Sequence, residues 1–202
     1  WEIQKIDPVS KGQVIVIDRD IPQSSILVAE KGVMRDDPDF YAAYVLNHIL
    51  GGGSFTSRLY AEIREKRGLV YSVSTRLYPF ENSTLILGSA GTANKRAHET
   101  LSVIKAEWDR MAIGGIRQEE LRDAKTYLTG SFPLRFSSSN QIASMLVGMQ
   151  TANLPIDYLQ TRNGIIEAIS HSDIARVAAK MLKSENLVTV VVGRPDGIKS
   201  SN

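Results

Sequence analysis

Residues 47–73 read NHILGGGSFTSRLYAEIREKRGLVYSV. A helical apolar run enters three consecutive glycines, and a second helical run follows. Gly68 then precedes the strand-like Leu69-Val70-Tyr71. Helix, glycine break, helix, bend and strand succeed one another within this one stretch. The first helix opens at Asp36-Asp37-Pro38. Asp37 can cap it, and Pro38 suits the first helical position because its missing N–H costs nothing there. Phe40, Ala43, Tyr44 and Leu50 recur at helical spacing. The helix must end at Gly51, Gly52 and Gly53, where backbone entropy favours termination. The second helix is predicted over 56–66, with Phe55, Leu59 and Ile63 as its buried stripe.

Outward from this stretch, apolar runs predict strands over 13–18 and 24–31. The turn Asp20-Ile21-Pro22-Gln23 joins them as a hairpin. Residues 70–80 and 84–90 form a second pair across Glu81-Asn82-Ser83. A long helix over 94–111 carries Leu101, Ile104 and Trp108 on one face and breaks at Gly114-Gly115. Helices follow over 118–130 and from 137–140 to about Ala152, with Phe132-Pro133-Leu134 between them. Leu154-Pro155 starts another. Ser170 and Asp173 make a capping-box-like start for a helix through Met181, and 187–192 is a strand that returns to the sheet. Hairpins alternating with helix pairs predict an α+β fold, with an antiparallel or mixed sheet and helices mainly on one face. Single crossover helices are lacking, which argues against a doubly wound parallel sheet. No internal repeat or linker divides residues 1–202, so one domain is expected.

Composition narrows the chemistry. The net charge is +2 with signs interspersed, which gives no nucleic-acid or anionic-membrane footprint. The absence of cysteine removes disulfides, thiolate metal sites and Cys nucleophiles. No apolar run reaches the ~18–20 residues of a membrane span. The opening WEIQKIDPVSKG reads as the middle of a longer chain and not as a signal peptide. Periplasm and cytoplasm both stay open.

The glycine triplet follows a helix and lacks a Lys-Ser/Thr pair, so it does not read as a phosphate loop. Two readings remain: a helix-ending turn with Ser54 or Thr56 capping the next helix, or a functional loop that lets another chain approach closely or acts as a hinge. The histidines are His48, His98 and His171. His98-Glu99 begins an H-E-x-x-H, but Ser102 stands where the second His belongs, so no zinc site is expected in this chain. No G-x-S-x-G elbow supports a serine nucleophile. Arg64 ends a helix and Tyr71 starts a strand, with Gly68 bending the chain between them. Together they would make a donor set for a peptide carbonyl or an oxyanion. The plainer alternative is a surface ion pair for Arg64 and a packed Tyr71, which shares strand parity with Val73 and Leu77. Chemistry alone favours that alternative.

The run LNHILGGGSFTSRLYAEIREKRGLVYSV, the DDPDFY helix start and the closing ENLVTVVVG strand resemble the C-terminal half of the pitrilysin/insulinase zinc peptidases. The likeness spans essentially the whole chain and is strongest to the bacterial branch similar to mitochondrial processing peptidases. The resemblance implies two related halves facing each other across a chamber, with zinc held by an inverted H-x-x-E-H motif in the other half. This chain lacks that motif. It also implies that Arg64 and Tyr71 contact substrate near the zinc, and it turns the reading of that pair toward function. Gly51–Gly53 resemble the glycine-rich segment of regulatory subunits, in a shorter form. The resulting expectation is a noncatalytic, substrate-binding half of a zinc endopeptidase. It holds no cofactor of its own and needs a zinc-bearing homologous half, in the same polypeptide or as a separate subunit. A non-proteolytic structural subunit of the same fold is the competing expectation.

Overall fold

The structure, a computed structural model, describes residues 4–6, 8 and 11–201. The opening WEIQKIDPVSKG lies partly outside the described residues. Five strands, β1 (Val14–Asp18), β2 (Gln23–Lys31), β3 (Val70–Pro79), β4 (Thr84–Ala93) and β5 (Val188–Gly193), form one mixed sheet in the order β1-β5-β2-β4-β3. Every second residue of β2 is buried, namely Ser24, Ile26, Val28 and Glu30. Ile26 stands opposite Ala90 of β4 on one side and Val191 of β5 on the other, so three strands share one row of the core. On the opposite face Ile15, Ile17 and Leu27 are exposed. The buried face is covered by α1 (Phe40–Asn47), α2 (Ala97–Gly114) and α6 (His171–Met181), with α6 packed against both of the others. Trp108 of α2 and Ile174 of α6 are fully buried there. The chain is therefore α+β, with helices on one side of a mixed sheet.

The predicted hairpin of the first two strands does not form. β5 inserts between them, parallel to β1 (Val14 opposite Thr189) and antiparallel to β2 (Leu27 opposite Val190). Residues 19–22 instead step over β5, a span of two strand spacings or about 10 Å. Arg194, just past β5, pairs with Asp18 at 2.9 Å and Asp20 at 3.0 Å, which ties that step to the strand it crosses. Asn94 holds the same step by donating to the Ile21 carbonyl at 2.8 Å and accepting from Ser24 Oγ at 2.7 Å. A hairpin would have left β5 only an outer edge, whereas insertion pairs its backbone on both sides.

Local signals fared better. β3 and β4 pair as a hairpin through Tyr78 opposite Leu85. Helix α3 (Gln118–Gly130) has the predicted bounds, α4 (Ser139–Thr151) starts on a Ser138 cap, and α5 (Tyr158–Ala168) follows. Ser170 and Asp173 form a reciprocal capping box at α6. The start of α1 differs. Asp37 accepts the Asp39 N–H at 2.7 Å and its carbonyl accepts the Phe40 N–H at 2.9 Å, so a turn forms first and Asp39 becomes the cap residue. Asp39 lacks a capping bond and instead binds Arg176 at 2.6 Å and Lys180 at 2.9 Å of α6.

Candidate functional site

Two π-helical turns carry the expected site residues. After α1 the chain widens into His48–Gly52, closed by the Gly53 N–H on the His48 carbonyl at 2.8 Å. The wide turn lies on β3. A side chain on Gly51 would come within 2.7 Å of Thr75 Oγ1 and 2.8 Å of Thr75 N. On Gly52 it would meet Asn47 Nδ2 at 2.6 Å, and on Gly53 the His48 carbonyl at 2.8 Å. The three glycines thus accommodate the chain's own strand and helix end. Ser54–Thr56 is a 3₁₀ turn and Ser57 is extended. That break removes Phe55 from the predicted stripe: Leu59 and Ile63 are buried, but Phe55 is 72% exposed.

The second π turn, Tyr60–Glu65, is closed by the Lys66 N–H on the Ala61 carbonyl at 3.0 Å. Gly68 follows with φ +60°, a backbone conformation that favours glycine. The bend is clamped. Arg96 donates to the Gly68 carbonyl at 2.6 Å and Thr92 Oγ1 to the Leu69 carbonyl at 2.7 Å. β3 then opens on a bulge. Val70 lies opposite Thr92 and Ser72 opposite Gly91, which leaves Tyr71 unpaired between them. A bulge adds one residue and reverses the parity of side chains across it. Val73 is therefore buried, while Tyr71, expected from parity to pack beside it, is 82% exposed.

The structure brings Arg64 and Tyr71 together. Arg64 Nη1 donates to the Tyr71 carbonyl oxygen, and the guanidinium lies 4.9 Å from the centre of the Tyr71 ring. On its other neighbour it stands 5.5 Å from the Tyr60 ring. Tyr60 in turn meets Phe55 edge-on at 5.0 Å. Phe55, Tyr60, Arg64 and Tyr71 form a continuous aromatic and cationic array. Of the two acids on this turn, Glu65 makes no ion pair with Arg64, and Glu62 is occupied by Lys66 and Arg67, which hold its carboxyl below the usual range. Among the described residues no carboxylate pairs with Arg64, so the surface ion pair of the plainer reading does not occur. Arg64 spends one N–H on Tyr71, and its guanidinium fork carries further donors. The sequence reading missed Tyr60, although its spacing of four from Arg64 on a helix was a usable signal.

Gly51 stands on the inner face of β3 at Thr75, four residues or roughly 13 Å along the strand from Tyr71. The triplet and the Arg–Tyr pair thus sit at different levels of one strand. Beside the π turns lies an open groove of about 1020 Å³, lined by His48, Arg58, Glu62, Glu107, Glu120 and Tyr127 among others. His48 is buried, stacks on Tyr127 at 5.1 Å, and has its pKa lowered by that burial. Arg58 grips both Glu120 oxygens at 2.7 Å. Although burial opposes it, that grip and the Arg117 N–H hold Glu120 at about 2.

His48, His98 and His171 lie on separate elements, the first π turn, α2 and α6. Among the described residues no three His, Asp or Glu side chains converge as a metal site. The described residues do not offer a ligand set that fits a zinc ion.

An α+β domain that brings an Arg–Tyr pair together at the edge of a mixed sheet is the class that this fold and site define. A family model described as the peptidase M16 inactive domain matches residues 2–128, and the chain belongs to that family. A protein of Streptomyces coelicolor named as an uncharacterized zinc protease is 29% identical over 89% of this chain and 39% of its own length. A Helicobacter pylori relative named as a non-peptidase homolog is 28% identical over 79% of this chain and 37% of its own. The crystal structure of a peptidase M16 inactive domain from Pseudomonas fluorescens superimposes with a TM-score of 0.83 at 31% identity, covering 92% of this chain and 44% of that one. The chain thus spans about two fifths of the length of these relatives.

Proposed function

We propose that this domain is the substrate-holding, noncatalytic half of a zinc metalloendopeptidase acting on peptides, and that it completes the active site of a homologous H-x-x-E-H half. One observation carries the reading. Arg64, which has no acid partner among the described residues, is held between Tyr60 and Tyr71, and Tyr71 is exposed at a bulge of a strand that forms a sheet edge. The spare guanidinium N–H groups and the Tyr71 hydroxyl are donors suited to peptide carbonyls. An extended peptide laid along β3 would meet both, with backbone bonds giving tolerant specificity. The zinc and its chemistry belong to the partner half. Gly51–Gly53 serve this site indirectly, by seating the first π turn on β3.

The test is peptide cleavage by the assembled pair of halves. Arg64→Ala and Tyr71→Phe should depress turnover while the zinc content of the complex stays unchanged. Zinc loss in these variants, or full activity, would sink the assignment.

The name of the Helicobacter pylori relative favours a second reading, a non-proteolytic interaction subunit of the same fold. It requires that no combination with an H-x-x-E-H half cleaves peptide.

A further inference from the structure

Helix α4 is a helix without a core. Of its thirteen residues only Met149 is buried. Its side-chain hydrogen bonds, Ser137 and Ser138 with Gln141 and Thr151 with the Val147 carbonyl, are all local. A helix of this length is marginal in water on its own, and most helical stability comes from packing an apolar face. Gly148 and the β-branched Ile142 and Val147 lower it further. Yet Ile142, Leu146 and Val147 face solvent, as do Leu134 before the helix and Ile156 after it, the last 95% exposed.

The surrounding sequence is unlike a solvated surface. From Thr126 to Ile156 the charged residue is Arg135 alone, whereas the chain average of 23% would place about seven there. Loss of charge with retained Leu, Ile and Met marks the core of a protein interface. The matched relatives carry more than half of their length outside the region this chain aligns with, which is room for a second half of similar size. When two halves share a polypeptide, the tether raises their effective concentration to about the millimolar range, so the partner half outcompetes a second copy.

We infer that the exposed face of α4, with Leu134 and Ile156, is the surface on which the homologous H-x-x-E-H half docks, through an apolar, charge-poor surface of its own. This rests on the reading that the domain works with such a half. The occupant covers Ile142, Leu146 and Val147 and orders α4.

The experiment mixes the 202-residue chain with the H-x-x-E-H half encoded upstream or in the adjacent gene, and follows association by light scattering and amide exchange by mass spectrometry. A one-to-one complex is expected, with amide exchange in 139–151 slowed at least about tenfold and affinity lowered about tenfold or more by Leu146→Asp with Val147→Asp. The melting temperature of the unbound domain should not change, because both side chains are exposed. Exchange in the wild-type complex needs no variant, so a folding defect cannot mask the result. A complex that cleaves peptide while α4 stays unprotected overturns this inference and leaves the proposed function standing. Protection that appears when the chain alone is concentrated overturns it in favour of a second copy. Failure to form any complex overturns both.

Discussion

The Arg64 guanidinium donates to the carbonyl oxygen of Tyr71 and lies 4.9 Å from the centre of the same residue's ring. One residue thus supplies both a backbone acceptor and an aromatic face to the cation. It does so because the bulge at Tyr71 releases the carbonyl from regular pairing and turns the ring outward. A lysine cannot reproduce this, since a compact ammonium lacks the planar fork that bonds and stacks together. In the proposed assembly with an H-x-x-E-H half, Arg64→Lys should lower kcat/KM about tenfold and Arg64→Ala about a hundredfold. Thermal melting of the variants should stay near wild type. Steady-state kinetics beside calorimetry checks both statements, and a rescue of full activity by lysine would contradict the geometry.

Two glycine-to-alanine changes should differ in cause and size. At Gly51 the added methyl meets Thr75 backbone and side chain at 2.7–2.8 Å, and the π turn must lift from β3. Overpacking of this kind costs about 1–3 kcal/mol. At Gly68 nothing lies within 4 Å, and the penalty is the φ of +60° alone, about 1 kcal/mol. Urea denaturation should rank Gly51→Ala as the less stable protein. Gly68→Ala should show its larger effect on substrate binding, because that bend positions Tyr71.

Glu30 makes stability fall as pH rises. Its buried carboxyl accepts the Trp108 indole N–H at 3.0 Å and the Lys183 N–H at 3.1 Å. Burial, only partly offset by these donors, pushes its pKa from 4.5 up to about 7. A raised folded-state pKa contributes stability that is fully present below 4.5 and is lost as pH climbs through 7. The loss should reach about 3 kcal/mol at most. His48 acts in the opposite sense, since burial lowers its pKa and its contribution fades as pH falls. The difference between wild type and Glu30→Gln isolates the carboxyl. Urea midpoints measured from pH 5 to 8 should lie nearest at low pH, where Glu30 is protonated and Gln resembles it, and the wild-type midpoint should fall relative to the flatter variant as pH rises through 7.

Arg58 and Glu120 should report at the acid end. Glu120 is held at about 2, below its ordinary 4.5, so its contribution is present above 4.5 and disappears as pH falls through 2. Both side chains are mostly buried, 16% and 13% exposed, so solvent screening is limited. Glu120→Gln should cost about 2–3 kcal/mol at pH 7 and little at pH 2. Acid unfolding followed by circular dichroism would show the gap closing. A gap that persists at pH 2 would mean the loss is one of packing.

Much of the candidate site's geometry was legible in the chain itself. Arg64, Gly68 and Tyr71 stand in a fixed local order, and the resemblance of REKRGLVY to a peptidase half pointed to the pair that the structure brings together. Tyr60 was less legible because it lies beside the apolar stripe of Leu59 and Ile63, one turn from the cation it stacks on. Phe55 was misplaced because an extended Ser57 broke the helical count. The glycine triplet invited a functional reading by its number and by its resemblance to a glycine-rich segment of regulatory subunits. Its neighbours Thr75, Asn47 and His48 show that close internal packing already requires all three.

What the sequence determined by itself is what a few neighbouring residues settle among themselves. The capping box at Ser170 and Asp173, the extent of α3 and the β3–β4 hairpin all close through bonds between residues near in the chain. Only the tertiary structure decided that β5 enters between β1 and β2, that Tyr71 sits on a bulge, and that α4 is left uncovered. Those outcomes depend on which backbone edges and apolar faces remain unsatisfied after the rest has packed. That balance is struck among residues far apart in sequence, so no local pattern encodes it.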